Sequence, residues 1–219
     1  AALAKLPLEE SGAADTDDTD ELVRRLLTCV YQSTRNSSTT TRQAASGLAA
    51  ALGARFFDFD VDAVAQDYIQ IVSKAFGRSL DWGRDDIALQ NIQARARAPG
   101  VWLVANLLNA LLLATSNRSE AAVGYTTMDG DTCGGLSPIA RIDKAFLRQW
   151  LGWMEAIGPD ELGPLPALSA VNAQAPTAEL RPPQSGQTDE SDLMPYELLD
   201  EIERAAIRDK QMPEEVFQR

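Results

Sequence analysis

The chemistry open to this chain is that of carboxylates, hydroxyls, amides, lysine and arginine, because the sequence contains no histidine. A Ser-His-Asp or Cys-His relay is excluded. So is His-ligated zinc, which two cysteines cannot replace. The densest run of candidate groups is LLLATSNRSEAAVGYTTMDGDTCGGLSPIARIDK. If ALLLA is a strand of a parallel sheet, Thr115, Ser116, Asn117 and Glu120 fall at its carboxyl end, where α/β sheets bind ligands. A hydroxyl and a carboxylate there can hold a nucleotide's sugar or phosphates, the carboxylate through Mg2+. The plain alternative is a turn in which Ser116, Asn117 or Ser119 caps the next helix.

Three further features carry possible chemistry. Asp129, Gly130 and Asp131, followed by Gly134 and Gly135, place two carboxylates on a pliable backbone. That suits a hard cation or ribose hydroxyls, or simply a turn. The later ligand positions of an EF-hand are missing. Asn91 and Arg95 share one helix face, and the guanidinium suits a carboxylate or phosphate, unless the face is merely solvated. Lys144 stands near a helix start, where the dipole disfavours a cation. That cost points to an anionic ligand, with a surface lysine as the alternative.

These groups need elements to position them. ELVRRLLTCVYQ reads as a helix turning into a strand. STRNSSTTT supplies N-caps for TRQAASGLAAALG, which Gly53 closes. RFFDFDV reads as a strand, and DVDAVAQDYIQIVSKAFG has helical periodicity. A long helical stretch starts near Asp85, and Pro99 is expected to kink or break it. The run Gly100 to Ala114 reads as buried core, with NALLLATSN a strand. RIDKAFLRQWLGWMEAIG is an amphipathic helix with Ile142, Phe146, Leu147, Trp150 and Met154 on one face. PYELLDEIERAAIRDK is a helix for which Pro195 is pre-organised. Strands alternating with helices imply an α/β layered domain with a parallel sheet.

Composition bounds the rest. The 219 residues carry 20 Lys plus Arg against 32 Asp plus Glu, a formal charge of −12, with 45% hydrophobic residues. The length suits one domain, or one and a half. The acidic balance opposes nucleic-acid binding through bulk electrostatics. Cys29 and Cys133 read as free thiols of a reducing, cytoplasmic compartment. The apolar run is too short and too polar for a membrane span. Residues 1–20, with their SGAADTDDTD run, read as an acidic flexible segment, leaving 21–219 as the folded domain.

Taken together, the motifs resemble those of NAD synthetases. The stretch from Thr115 to Lys144 is similar to one family signature, and APTAELRPPQSGQTDESDLMPYELLDEIE to a second. NIQARARAPG and YQSTRNSSTTTRQAASGLAAALGA fit as well, so the likeness runs from about Leu26 to about Arg208. The motifs are closer to the glutamine-dependent enzymes than to the ammonia-dependent ones. LMPYELLD and GYTTMDGD set the chain apart from GMP synthetase-like amidotransferases.

The resemblance implies a Rossmann-like fold of the adenine nucleotide α-hydrolase type, a parallel sheet with flanking helices. It implies ATP-dependent amidation of nicotinic acid adenine dinucleotide (deamido-NAD) to NAD. The substrate carboxylate attacks the α-phosphate of ATP, and ammonia, supplied from glutamine by another domain, then displaces AMP. ATP and Mg2+ are the expected cofactors, and a homo-oligomer the expected assembly. By matching motifs, Thr115, Thr177 and Lys144 contact ATP, Glu120 binds Mg2+ or the dinucleotide, and Arg95 and Asp131 contact deamido-NAD. Lys144 and Glu120 are the expected catalytic pair. Two family features are missing from these residues: the Ser-Gly-Gly-x-Asp-Ser pyrophosphate loop, of which Ser11 to Thr16 is only an echo, and the nitrilase-type glutaminase domain. The expectation is therefore a synthetase domain incomplete at both ends, inactive or weak alone. A non-catalytic nucleotide-binding or assembly module of the same fold is the alternative.

Overall fold

A computed structural model describes residues 2–5 and 19–218, and the chain divides into two compact units. The first comprises 1–115, 126–138 and 179–186; the second comprises 116–125, 139–178 and 187–219.

The first unit is α/β. Its elements are β1 (Ala2–Lys5), α1 (Thr19–Leu26), β2 (Leu27–Ser33), α2 (Thr39–Ala51), β3 (Arg55–Asp60), α3 (Asp62–Phe76), α4 (Trp82–Leu108) and β4 (Ala110–Leu113). The sheet order is β3-β2-β1-β4. β2 and β3 are parallel, with Cys29 opposite Phe56 and Ser33 opposite Asp60. Parallel neighbours need a crossover, and α2 supplies it. Ser38 caps α2 by accepting from the Thr41 amide. Gly53 follows with φ 68°, which glycine adopts without steric cost. Val30, Val101, Ala105 and Leu112 form the apolar centre, with Phe57 and Phe59 of β3 stacked beside it at 6.0 Å.

The expected α/β architecture, parallel pairing and flanking helices are present, with three local differences. Ala2–Lys5, within the stretch read as a flexible segment, is a strand antiparallel to both β2 and β4. Residues 6–18, and with them most of the acidic run and the Ser11–Thr16 echo, lie outside the described residues. The long helix begins at Trp82, not Asp85, because Asp81 accepts from the Gly83 and Arg84 amides. It then runs through Pro99 to Leu108; its one non-helical residue is Asp85. Pro99 is exposed, while Ala94, Ala96, Ala98, Val101 and Ala105 are buried and hold the helix across the missing hydrogen bond. The run from Gly100 to Ala114 is correspondingly not all core: Trp102, Leu103 and Leu107 are exposed.

The second unit has no strand among its described residues. It consists of α5 (Arg118–Ala122), α6 (Lys144–Ala156), a 3-10 turn at Pro166–Leu168, α7 (Ser169–Asn172), α8 (Asp189–Asp192), α9 (Tyr196–Glu203), a π-helical turn at Arg204–Arg208 and α10 (Pro213–Phe217). Asn117, Ser119, Tyr196 and Asp200 are all nearly inaccessible. On the expected apolar face of α6, Met154 is buried, whereas Phe146 and Trp150 are exposed. Among the described residues, no helix is long and apolar enough to cross a membrane. Cys29 and Cys133 are both free.

Candidate functional site

In the first unit a cavity of about 230 Å³ opens where β2, β4 and α4 meet. Its walls combine Val30, Val101 and Leu113 with Tyr31, Gln32, Arg97, Thr115 and Asp131. Tyr31 and Gln32 lie near the carboxyl end of β2, and Thr115 lies two residues beyond that of β4, the usual place for a ligand in an α/β sheet. Arg97 comes from the same α4 face as Ala94 and Val101. Burial pushes the Arg97 guanidinium below its ordinary pKa, while the neighbouring Asp131 charge pulls it back up. Its Nε, and Oε1 of Gln32, are buried without a hydrogen-bond partner among the described residues. A donor and an acceptor left open in one cavity are unusual in a native interior.

The loop closing this cavity is tightly placed. Thr127 donates from its amide to Asp131 Oδ2 (3.0 Å) and from its hydroxyl to Asn91 Oδ1 (3.1 Å). Arg95 is exposed, and its Nε donates to the Met128 carbonyl at 3.1 Å. Asn91 and Arg95 thus share a face, as their spacing predicts, and that face grips the 127–131 turn. Asp129 sits in the left-handed region at φ 62°, which Asp tolerates better than most residues. Farther on, the Ala114 amide donates to the Leu136 carbonyl and the Gly135 amide to Leu112, both at 2.8 Å. Gly134 lies so close to β4 that a Cβ would stand 2.3 Å from the Ala114 nitrogen. Cys133 lines the cavity, but burial raises its thiol pKa, which makes it a poor nucleophile.

In the second unit the site is an ion pair. Lys144 Nζ lies 2.7 Å from Glu120 Oε1, both side chains less than one-fifth exposed. Asn117 caps α5 by accepting from the Glu120 amide, and Glu120 Oε2 accepts from the Asn117 amide at 3.2 Å, a closed capping box. Asn117 therefore caps the helix while fixing the carboxylate that faces the lysine. Lys144 is the first residue of α6, and its ammonium sits 5.6 Å from the Tyr196 ring centroid. The Tyr196 hydroxyl donates to Asp189 Oδ2 at 2.8 Å. Burial pushes the Asp189 carboxyl up, opposed by the Tyr196 hydrogen bond and the Lys144 charge. Thr177 donates to the Gln187 carbonyl at 2.7 Å.

Asp143, Asp200 and Glu203 bring carboxylate oxygens within 4.8 Å of one another. Guanidinium groups already serve this cluster. Arg118 pairs with Asp143 and, at 2.7 Å, with Glu203, and Arg204 reaches Asp143 at 3.3 Å. Burial raises the Glu203 pKa, and the Arg118 charge opposes that rise.

Of the six residues singled out from sequence, Thr115, Arg95 and Asp131 belong to the first unit, and Glu120, Lys144 and Thr177 to the second. Sequence reasoning missed Gln32, Arg97, Tyr196 and Asp200, and named Ser119 only as a possible helix cap. One signal was readable: Tyr196, Asp200 and Glu203 fall on one face of a helix with Leu199, so carboxylates share its apolar side.

Comparisons with known proteins agree in direction. The profile of the NAD synthase family matches residues 13–219. A glutamine-dependent NAD(+) synthetase of Aquifex aeolicus is 35% identical over 200 residues, covering 91% of this chain and 33% of that protein. Its counterpart from Thermotoga maritima is 36% identical over 173 residues, covering 78% of this chain and 28% of that protein. The crystal structure of a glutamine-dependent NAD(+) synthetase from Cytophaga hutchinsonii superposes with a TM-score of 0.76 at 40% identity, covering 98% of this chain and 32% of that one. The chain thus spans about a third of the length of these relatives. The part-buried Lys144–Glu120 pair and the cavity at the strand ends stand beside a match over nearly the whole chain, which leads to one assignment: the chain belongs to the NAD synthase family.

Proposed function

We propose that these residues are the synthetase portion of a glutamine-dependent NAD synthetase, which amidates deamido-NAD through an adenylate. The observation that carries this reading is the Lys144–Glu120 pair. A part-buried lysine at a helix start stands against its dipole, and Glu120 compensates it here; the pair keeps an ammonium in place that incoming phosphates can take over. In the reaction the deamido-NAD carboxylate attacks the α-phosphorus of ATP, and pyrophosphate leaves. Negative charge grows on phosphate oxygens, and the Lys144 ammonium can move from Glu120 to them. Ammonia then displaces AMP, a step that needs proximity and exclusion of water more than a proton shuttle. The absence of histidine is compatible with that chemistry.

The first-unit cavity supports a nucleotide. Its volume lies below the ~300 Å³ at the small end of ligand sites, which suits one ring system or one phosphate group. Thr115 and Asp131 line it. Arg95 and Thr177, which bond to backbone carbonyls in this structure, are assigned deamido-NAD and ATP respectively on motif matching alone. Magnesium is assigned to Glu120 on motif matching. Both of its oxygens are taken in this structure, by Lys144 and by the Asn117 amide, so the metal would have to arrive with the substrate phosphates as Lys144 leaves Oε1. It would neutralise phosphate charge there. The Asp143–Asp200–Glu203 cluster does not fit, because Arg118 and Arg204 occupy it.

A second reading, assembly through this chain, is favoured by one observation. Tyr68, Ile71 and Phe76 of α3 and Trp102, Leu103 and Leu107 of α4 are exposed. The two readings separate in one assay of the protein at its full natural length with deamido-NAD, ATP, Mg2+ and ammonium. AMP release is expected, and it should fall by about 10²–10³-fold in Lys144→Ala or Glu120→Ala, the usual loss for one charge-stabilising group. Wild-type rates in both variants would remove the pair from the site. No AMP at all would leave the binding and assembly reading.

A further inference from the structure

α9 carries an acid that no ligand role accounts for. Asp200 is 2% exposed, and no cation pairs with it among the described residues. Both of its oxygens are used at the starts of two other helices. Oδ1 accepts from the Ser119 hydroxyl, and Oδ2 accepts from the Ala145 amide at 2.9 Å. Ser119, fully buried, accepts in turn from the Lys144 amide at 2.9 Å. The first two amides of α6 are thus held by one carboxylate from a distant part of the chain, directly and through a serine. Asp143, the residue at the N-cap of α6, makes no side-chain cap of its own.

The two ends of this clamp are the two ends of the candidate site. Ser119 immediately precedes Glu120 on α5, and Lys144 and Ala145 open α6. One turn earlier on the same face of α9, Tyr196 places its ring 5.6 Å from the Lys144 ammonium. α9 therefore meets the lysine at its backbone and at its head. A buried carboxylate that has no ion pair of its own is costly, and the two hydrogen bonds it accepts offset that cost. What it provides is a fixed position for amide groups at the positive end of a helix.

We propose that Asp200 is a positioning residue for the Lys144–Glu120 pair, acting through Ser119 and the first two amides of α6. The inference rests on the function proposed above. Asp200→Asn keeps the shape but leaves either the Ala145 amide or the Ser119 hydroxyl proton without its acceptor. Ser119→Ala removes the relay with a smaller change in volume. Loss of alignment lowers turnover while substrate contacts elsewhere keep KM.

The test is a double-mutant cycle in the full-length protein, reading AMP release, KM for ATP and Tm. Asp200→Asn and Ser119→Ala are each expected to lower kcat about tenfold, within the coupling range of residues in one network. KM for ATP should change by less than about twofold. On the Lys144→Ala background both effects should vanish, since the group being positioned is gone. If either substitution lowers kcat by the same factor with and without Lys144, or lowers Tm while kcat holds, Asp200 is only structural and the proposal fails. If Asp200→Asn does not fold, the Ser119→Ala cycle decides alone. Wild-type turnover in Lys144→Ala would instead overturn the function on which the proposal rests.

Discussion

The two units are stabilised by different means. In the first, position follows from apolar packing: Val30, Val101, Ala105 and Leu112 form a continuous centre between sheet and helix. Its cavity keeps polar atoms open. The second has no strand among its described residues and a largely polar interior, in which Ser119, Asp189, Asp200 and Glu203 are buried along with Tyr196. Apolar packing tolerates exchange of similar shapes. A buried hydrogen-bonded network does not, because each lost partner strands another group. The first unit should therefore respond to lost volume, and the second to lost hydrogen bonds.

Three substitutions bear on that contrast. Leu112→Ala should have the largest effect, about 2–5 kcal/mol of stability, as expected for a buried leucine. Leu112→Met should cost under about 1.5 kcal/mol. Denaturant unfolding measures both, and equal losses would break the packing account. Tyr196→Phe comes next. It keeps nearly all the volume but takes the donor from Asp189, so about 1–3 kcal/mol should be lost. A Tm equal to wild type would show that the second unit is also held by shape.

The smallest effect concerns Arg78 and Asp85, which join the end of α3 to the start of α4. Hydrogen bonds from Arg78 lower the Asp85 carboxyl to about 2. A depressed acid stabilises the fold above its unfolded pKa and ceases to do so as pH falls through its folded one. Asp85→Asn should thus lower Tm modestly from about pH 4 upward. The difference from wild type should close as pH approaches about 2. A pH-independent difference would sharpen the contrast by removing charge from the account of the first unit.

Legibility followed range. α2, β3, α3 and β4 were readable because their signals are local: the Ser38 cap, Gly53, the FFDF run and apolar periodicity. β1 was not, since four residues, Ala2 to Lys5, become a strand only by pairing with β2 and β4. The passage of α4 through Pro99 was hidden for the same reason, because the buried alanines that anchor it act through tertiary contacts. At the site, Lys144 and Glu120 stood out by residue type and place. Asp200 did not, because its two partners lie on other helices. Arg97 was overshadowed by Arg95, although Arg97 lines the cavity and Arg95 braces a turn.

Gly134 bears on how this chain can change over generations. Its φ is not in the left-handed region, so its constraint is one of space. Even a methyl group would meet the β4 backbone and push the 130–136 loop outward, carrying Asp131 and Cys133 away from Thr115. In a saturation library selected for ligand binding, position 134 should return a single letter. Position 47, where a Cβ would meet nothing within 4 Å, should return many.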